Sequence, residues 1–511
     1  MTAAATILLT PDVEVAIIGA GFAGIGAGMR MRQNAIDSFV ILERAADVGG
    51  TWRDNTYPGI AVDIPSFTYS FSFEPNPEWS RVFAPGQELK KYADDLTIKH
   101  ALRKHIRFNT WVEKAVFDAS SHLWNLHLKN GRRLSARYII NATGGLIEPK
   151  LPDLKGLADF KGKVMHTARW DHNYDLKGKR VAIIGTGATS VQLVPSLAGN
   201  VERMDVYQRT PIWILPKPDR EIPRWMQRIF KRLPLTQSSL RLLTTLYSET
   251  VMVVALIYFE QLPNLVKSAE RAALEHLQKQ VDNPELREKL TPKYGFGCKR
   301  PSFSNEYWKS FNRSNVHLIT DPIASVTENS VITKAGTERE VDVIICATGF
   351  KVFERGNLPS YELIGLNGHE LGEFWDKHRY QAYEGISVPN FPNLFLIPGP
   401  YAVSGSSWFF MIEHQTTHAL RCIVEARKRS ATYVEVRQQA NDRYFENILE
   451  RQKHTVFYNN DCATSNSYYF NKHGDAPFLR PASSLEVWWK SQNFPLKDYI
   501  FKTTQYEIRA Y

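Results

Sequence analysis

Gly19, Gly21 and Gly24 form a G-x-G-x-x-G turn directly behind the apolar run "VEVAII". In that setting the first glycine admits a tight turn and the second lets the backbone approach a pyrophosphate. The third lets helix and strand pack closely, and the pyrophosphate meets the positive N-terminus of the helix that follows. A glycine turn alone is weak evidence. Here "FVILER" supplies a second strand ending at Glu43, nineteen residues after Gly24, and a carboxylate at that place accepts ribose hydroxyls.

The pattern returns in "RVAIIGTGATSVQLVPSL", where Gly185, Thr186 and Gly187 repeat the turn and Ser190 takes the third glycine's place. Its second strand ends in "VYQRTP", which sets Gln208, Arg209 and Thr210 where the first unit has its acid. An acid repels a 2′-phosphate, whereas an arginine pairs with it in bidentate fashion. The two units predict FAD in the first and NADPH, rather than NADH, in the second. No C-x-x-C is present, which argues against a disulfide reductase and leaves oxygen as the simplest electron acceptor.

Between the units stands "DFKGKVMHTARWD", residues 159–171. It has neither strand alternation nor an apolar helical stripe. Its His166 could be a base, a metal ligand or a packed side chain. A metal would need partners that the spacing does not offer. The stretch reads as a linker in which His166 and Trp170 anchor one domain against the other.

These residues need a scaffold, and the chain is long enough for one. Its 511 residues suit about three domains. Apolar content of 43% and charged content of 23% are those of a globular protein. The net charge of +10 suits an acidic partner; no basic and aromatic nucleic-acid module is present, so a polyphosphate cofactor or an anionic membrane surface fits instead. Two strands ending in "ATG", "RYIINATGG" and "VDVIICATGF", accompany the two glycine turns. The pattern predicts an α/β chain with two dinucleotide-binding, Rossmann-like domains and a helical insertion. Residues 1–150 begin the FAD domain, 151–215 and 296–384 form the NADP domain, 216–295 form the insertion, and 385–511 complete the FAD domain. Cys298, Cys346, Cys422 and Cys462 are far apart in sequence and are expected to be unpaired, in a reducing compartment. The start "MTAAATILLTPDVEVAII" lacks a basic segment and a cleavage site, so no signal peptide is expected. The longest apolar run, Val251 to Phe259, is too short to span a bilayer. A soluble cytoplasmic protein is the expectation.

Several motifs together resemble the single-chain, FAD- and NADPH-dependent Baeyer–Villiger monooxygenases, over nearly the whole chain. "DFKGKVMHTARWD" matches that family's F-x-G-x-x-x-H-x-x-x-W-[PD] fingerprint through Phe160, Gly162, His166, Trp170 and Asp171. "GGTWRDNTYPGIAVD" matches a second fingerprint, and "CKRPSFSNEYWKSFNRSNV" is similar to the segment of the active-site arginine, here Arg300. The resemblance implies oxygen insertion beside a ketone carbonyl through a C4a-peroxyflavin, giving an ester or lactone, with sulfoxidation as a further activity. It implies Arg300 as the catalytic cation, with Asp63 holding it. It implies FAD contacts at Ala23, Glu43, Gly50, Thr51, Trp52, Arg53, Asp63, Tyr69 and Val112. For NADP it implies Ala61, Val62 and Asp63, then Gly185, Thr186, Gly187, Ala188, Thr189, Ser190 and Val191, and finally Arg209, Thr210 and Lys299. Tyr468 stands where many relatives have a tryptophan.

The rival reading is a flavin monooxygenase of nitrogen or sulfur nucleophiles, and a flavoprotein module without turnover is a second. "RWMQRIFKRL", residues 224–233, interleaves basic and apolar residues as a membrane-surface helix does. The favoured expectation is a helix of the insertion packed on the NADP domain.

Overall fold

A computed structural model of the protein describes residues 10–352, 354–404 and 407–503. The first half of the N-terminal segment read for a signal peptide lies outside the described residues.

The first sheet is built on the parallel trio Arg133–Asn141, Val13–Ile18 and Phe39–Leu42. Val15, Ile17, Phe39 and Ile41 face one core, and Ala16, Ile18, Val40 and Leu42 face the other. Burial on both faces explains why residues 15–18 and Phe39–Leu42 are continuous apolar runs rather than alternating ones. The Phe22–Gln33 helix covers one face, and the C-terminal Trp408–Lys428 helix packs on it. The chain re-enters this sheet at Glu362–Ile364, ahead of residue 385, and again at Leu394–Leu396.

The second sheet is wholly parallel, in the order Val316–Ile319, Arg203–Tyr207, Arg180–Ile184, Val343–Cys346 and Lys163–His166. Its last member corrects the sequence reading of residues 159–171. That stretch is not a linker throughout, because Lys163–His166 is an edge strand of the second sheet. Four residues on an edge are too few to show an alternation. Two Rossmann-like units thus make an α/β chain.

The insertion contains the helices Arg224–Arg232, Pro263–Gln280 and Pro284–Leu290 and the continuous helical rod Pro234–Ile257. Two expectations are corrected here, the packing of the basic helix and the pairing of the cysteines. The Arg224–Arg232 helix does not pack on the NADP unit: Phe230 meets Phe67 of the first core, and Gln227 donates to the Trp79 carbonyl. The rod runs well beyond the Val251–Phe259 run and is long and apolar enough to cross a membrane by length and composition. Serine, threonine and tyrosine between its leucines lengthen it without extending the unbroken apolar run. Cys298 and Cys462, finally, form a disulfide with a Cα–Cα distance of 5.1 Å across 164 residues of sequence. Only Cys346 and Cys422 are free, and both are buried.

Candidate active site

Each glycine turn is moulded by the neighbouring ATG strand. Gly19 has φ +106° and Gly185 φ +111°, a region that L side chains rarely adopt. A Cβ would stand 2.7 Å from the Ala142 carbonyl oxygen at Gly19 and 2.5 Å from that of Ala347 at Gly185. Gly24 meets the tightest constraint, with its Cβ position 1.8 Å from the Gly19 oxygen. The helices that follow, Phe22–Gln33 and Ala188–Leu197, begin at Gly21 and Gly187 with no side-chain cap. Their first N–H groups are therefore open to an anion.

At the end of the second strand Glu43 is buried. Its Oε2 accepts the Ala20 N–H at 2.8 Å, while Oε1 accepts Ala45 N–H at 2.9 Å and Arg53 Nη1 at 3.0 Å. Three of its roughly four acceptor sites are thereby used. Oε2 keeps the free capacity, so a ribose would be held there rather than by the whole carboxylate.

One cleft runs from this strand end to the second unit. Gly19, Gly21, Ala23, Glu43, Gly50, Thr51, Trp52, Arg53, Ala61, Asp63, Tyr69, Val112, Ala188, Thr189 and Arg300 all line it. The Trp52 indole donates to the Tyr69 hydroxyl at 3.1 Å. Val62 and Val191 are not on the wall. They are core residues, buried against the first and second units respectively, and their backbones shape the neighbouring turns. Gly24, Gly185, Thr186, Gly187 and Ser190 are not on the cleft wall. Ser190 Oγ donates to the Gly185 carbonyl at 2.6 Å, and Thr186 Oγ1 to that of Thr210 at 2.8 Å.

In the cleft wall Arg300 meets Asp63. Its Nε and Nη2 reach Asp63 Oδ2 at 2.9 and 2.8 Å. The Asp63 carboxylate holds the guanidinium above the usual arginine range, so the charge is permanent. Arg300 is placed by the two-residue ladder of Ser302–Phe303 with Ile214–Leu215. Asp63 is placed by the preceding Val62 N–H, which donates to the Ala84 carbonyl. Gln192, from the second unit, accepts from the Tyr57 hydroxyl and donates to the Ala61 carbonyl, each at 2.9 Å. It clamps the loop that carries Asp63.

Next to Arg300 in sequence, burial pushes the Lys299 ammonium down to about 8, and the nearby Arg209 charge adds to this. The two cations sense each other at the strand end that lacks an acid, and neither forms an ion pair among the described residues. Arg209 is exposed, while Thr210 is buried and bonded to Asn466.

A family model described as flavin-binding monooxygenase-like matches residues 12–355. A Baeyer–Villiger monooxygenase of Pseudomonas aeruginosa is 42% identical over 450 residues, covering 88% of this chain and 84% of that one. One of Streptomyces coelicolor is 37% identical, covering 95% and 92%. The chain belongs to the Baeyer–Villiger monooxygenases. This Baeyer–Villiger monooxygenase also shares its fold with solved members. Cyclohexanone monooxygenase from Rhodococcus sp. Phi1, solved bound to NADP+, superposes with a TM-score of 0.85 at 26% identity, covering 97% of this chain and all of that one. A steroid monooxygenase bound to NADP gives 0.84 at 27%, covering 96% and 99%.

Two further features of the monooxygenase were beyond sequence spacing. Gln192, Tyr361, Trp408 and Phe478 line the cleft, and nothing in their local patterns signals it. His166, in turn, is buried; its Nδ1 accepts the Ala168 N–H at 3.1 Å, its ring edge meets Phe350, and burial lowers its pKa. The anchoring between units falls instead to its neighbours: Trp170 packs in the same core as Tyr57, and His172 bonds Thr56 Oγ1 at 2.8 Å.

Proposed function

We propose that Arg300 is the catalytic cation of this enzyme and Asp63 the residue that positions it, in an FAD- and NADPH-dependent insertion of oxygen next to a ketone carbonyl. The uncapped glycine helices, the Glu43 strand end and the Lys299–Arg209 pair fit the two cofactors. The flavin, once reduced, supplies the oxygen-activating chemistry. The protein's part is electrostatic. Arg300 offers a fixed positive charge to negative charge that develops in the cleft, and such preorganised stabilisation contributes about 3–4 kcal/mol. Asp63 fixes the guanidinium so that no reorganisation is needed at the moment of reaction. Lys299 and Arg209 hold the 2′-phosphate, which selects NADPH over NADH. Tyr468 lines the cleft beside Arg300 and takes part in shaping the substrate pocket.

The Asp63–Arg300 ion pair in the cleft wall is the observation that carries this reading. Anaerobic reduction with NADPH, then oxygen with a panel of ketones and sulfides analysed by mass, tests it. Esters or lactones are expected from ketones, with sulfoxides as side products. Arg300→Ala is expected to keep flavin reduction and lose ester formation by about 10²–10³; ester formation at the wild-type rate refutes the assignment. Sulfoxides without any ester favour the nitrogen- and sulfur-oxygenating reading. A cytoplasmic location belongs to the same proposal, supported by the demand for NADPH and no longer by the cysteines, two of which form a disulfide; cell fractionation tests it.

A further inference from the structure

The rod Pro234–Ile257 stands at the surface, with only 18% of its most apolar stretch buried. At 100° per residue, Leu235, Leu242 and Leu246 fall on one stripe with Leu243 beside it, and these four are 54–80% exposed. The opposite stripe is bonded to the first unit. Arg241 donates to the Phe67 and Ser70 carbonyls, both at 2.9 Å, and Thr244 pairs with Thr68 at 2.8 Å. Further along, Glu249 accepts the Ser484 N–H at 2.7 Å. A helix tied to the protein along one side cannot cross a bilayer. It can lie flat with its leucines outward.

The elements next to the rod also carry exposed apolar side chains. Trp225 and Ile229 of the Arg224–Arg232 helix are exposed, as is Trp489 on the Ser484–Asn493 helix that Glu249 anchors. Arg224, Arg228 and Arg232 are exposed and make no ion pair among the described residues. Tryptophan beside leucine, with unpaired arginines between, is the composition of a helix at an anionic lipid interface. A second copy on this face would set positive charge against positive charge.

We infer that the insertion is a docking platform for anionic membrane surfaces, with Leu242 and Leu246 entering the headgroup boundary and Arg224, Arg228 and Arg232 pairing with lipid phosphates. The inference stands apart from the chemistry of the cleft. An enzyme held there meets lipophilic ketones dissolved in the bilayer.

Full-length, FAD-loaded enzyme is sedimented with phosphatidylcholine vesicles and with vesicles enriched in phosphatidylglycerol, at low and at high salt. Binding to the anionic vesicles at low salt, and release by salt, is expected. Each arginine is worth about a factor of five, so the R224A/R228A/R232A variant loses roughly a hundredfold in partitioning. Leu242→Asp with Leu246→Asp loses binding, and NADPH oxidation in solution is unchanged in both variants. Wild-type enzyme that stays in the supernatant with anionic vesicles at low salt overturns the inference. So does binding indifferent to the arginines, or a dimer that the leucine variant splits in sedimentation velocity, which would assign the face to a second copy. If the leucine variant fails to hold FAD, the arginine variant and Leu235→Ser decide.

Discussion

The two glycine units of this enzyme share a backbone solution and differ in everything attached to it. In both, a glycine at φ above +100° turns against the alanine carbonyl of an ATG strand. At the third position they part. Gly24 leaves no room for a Cβ against the Gly19 oxygen, whereas Ser190 uses its hydroxyl to bond the Gly185 oxygen. At the strand end they part again, with the buried Glu43 carboxylate in the first unit and the Lys299–Arg209 pair in the second. The turn is fixed by sterics in both units, while the charge at the strand end differs between them.

The largest effect that can break this comparison is at Gly24. A Cβ 1.8 Å from a backbone oxygen forces helix and strand apart, so Gly24→Ala is expected to cost about 3 kcal/mol or more. The readout is the yield of FAD-loaded protein, and normal loading would show that the turn tolerates what Ser190 does. Next comes Arg209→Ala. Losing a charged hydrogen bond of about 1.5–3 kcal/mol raises the KM for NADPH by roughly 10- to 150-fold and leaves that for NADH unchanged. An equal rise for both nucleotides would remove Arg209 from the 2′-phosphate.

A smaller effect comes from pH. Lys299 is held down at about 8 by burial and by Arg209, so the free enzyme loses this charge as pH rises through about 8. Phosphate binding favours the charged form. The KM for NADPH should therefore climb above about pH 8, by at most about tenfold per unit, and Lys299→Met should flatten the climb. The smallest effect is Ser190→Ala. It removes one hydrogen bond worth about 1 kcal/mol and should lower Tm by about 2 °C or less in a chain of this size. A loss as large as that at Gly24 would mean that the two units are not organised differently after all.

The glycine turns, the Glu43 strand end and the ATG strands were legible because each is a local pattern, set by the conformation of a few consecutive residues. The Asp63–Arg300 pair came from a family resemblance and not from spacing, since 237 residues separate the partners. The edge strand Lys163–His166 was missed because a short edge strand carries no periodicity, and the clamp by Gln192 because its partners lie on another unit.

What the sequence determined by itself was therefore the chemistry that neighbouring residues perform on their own backbone: two nucleotide turns, one ending in an acid and one beside a cation. The tertiary structure decided the rest. It joined Cys298 to Cys462, although each is isolated in sequence. It left the leucines of Pro234–Ile257 outside, although their hydropathy would equally suit a core. Both outcomes depend on which distant surfaces meet, and residue type alone does not carry that information.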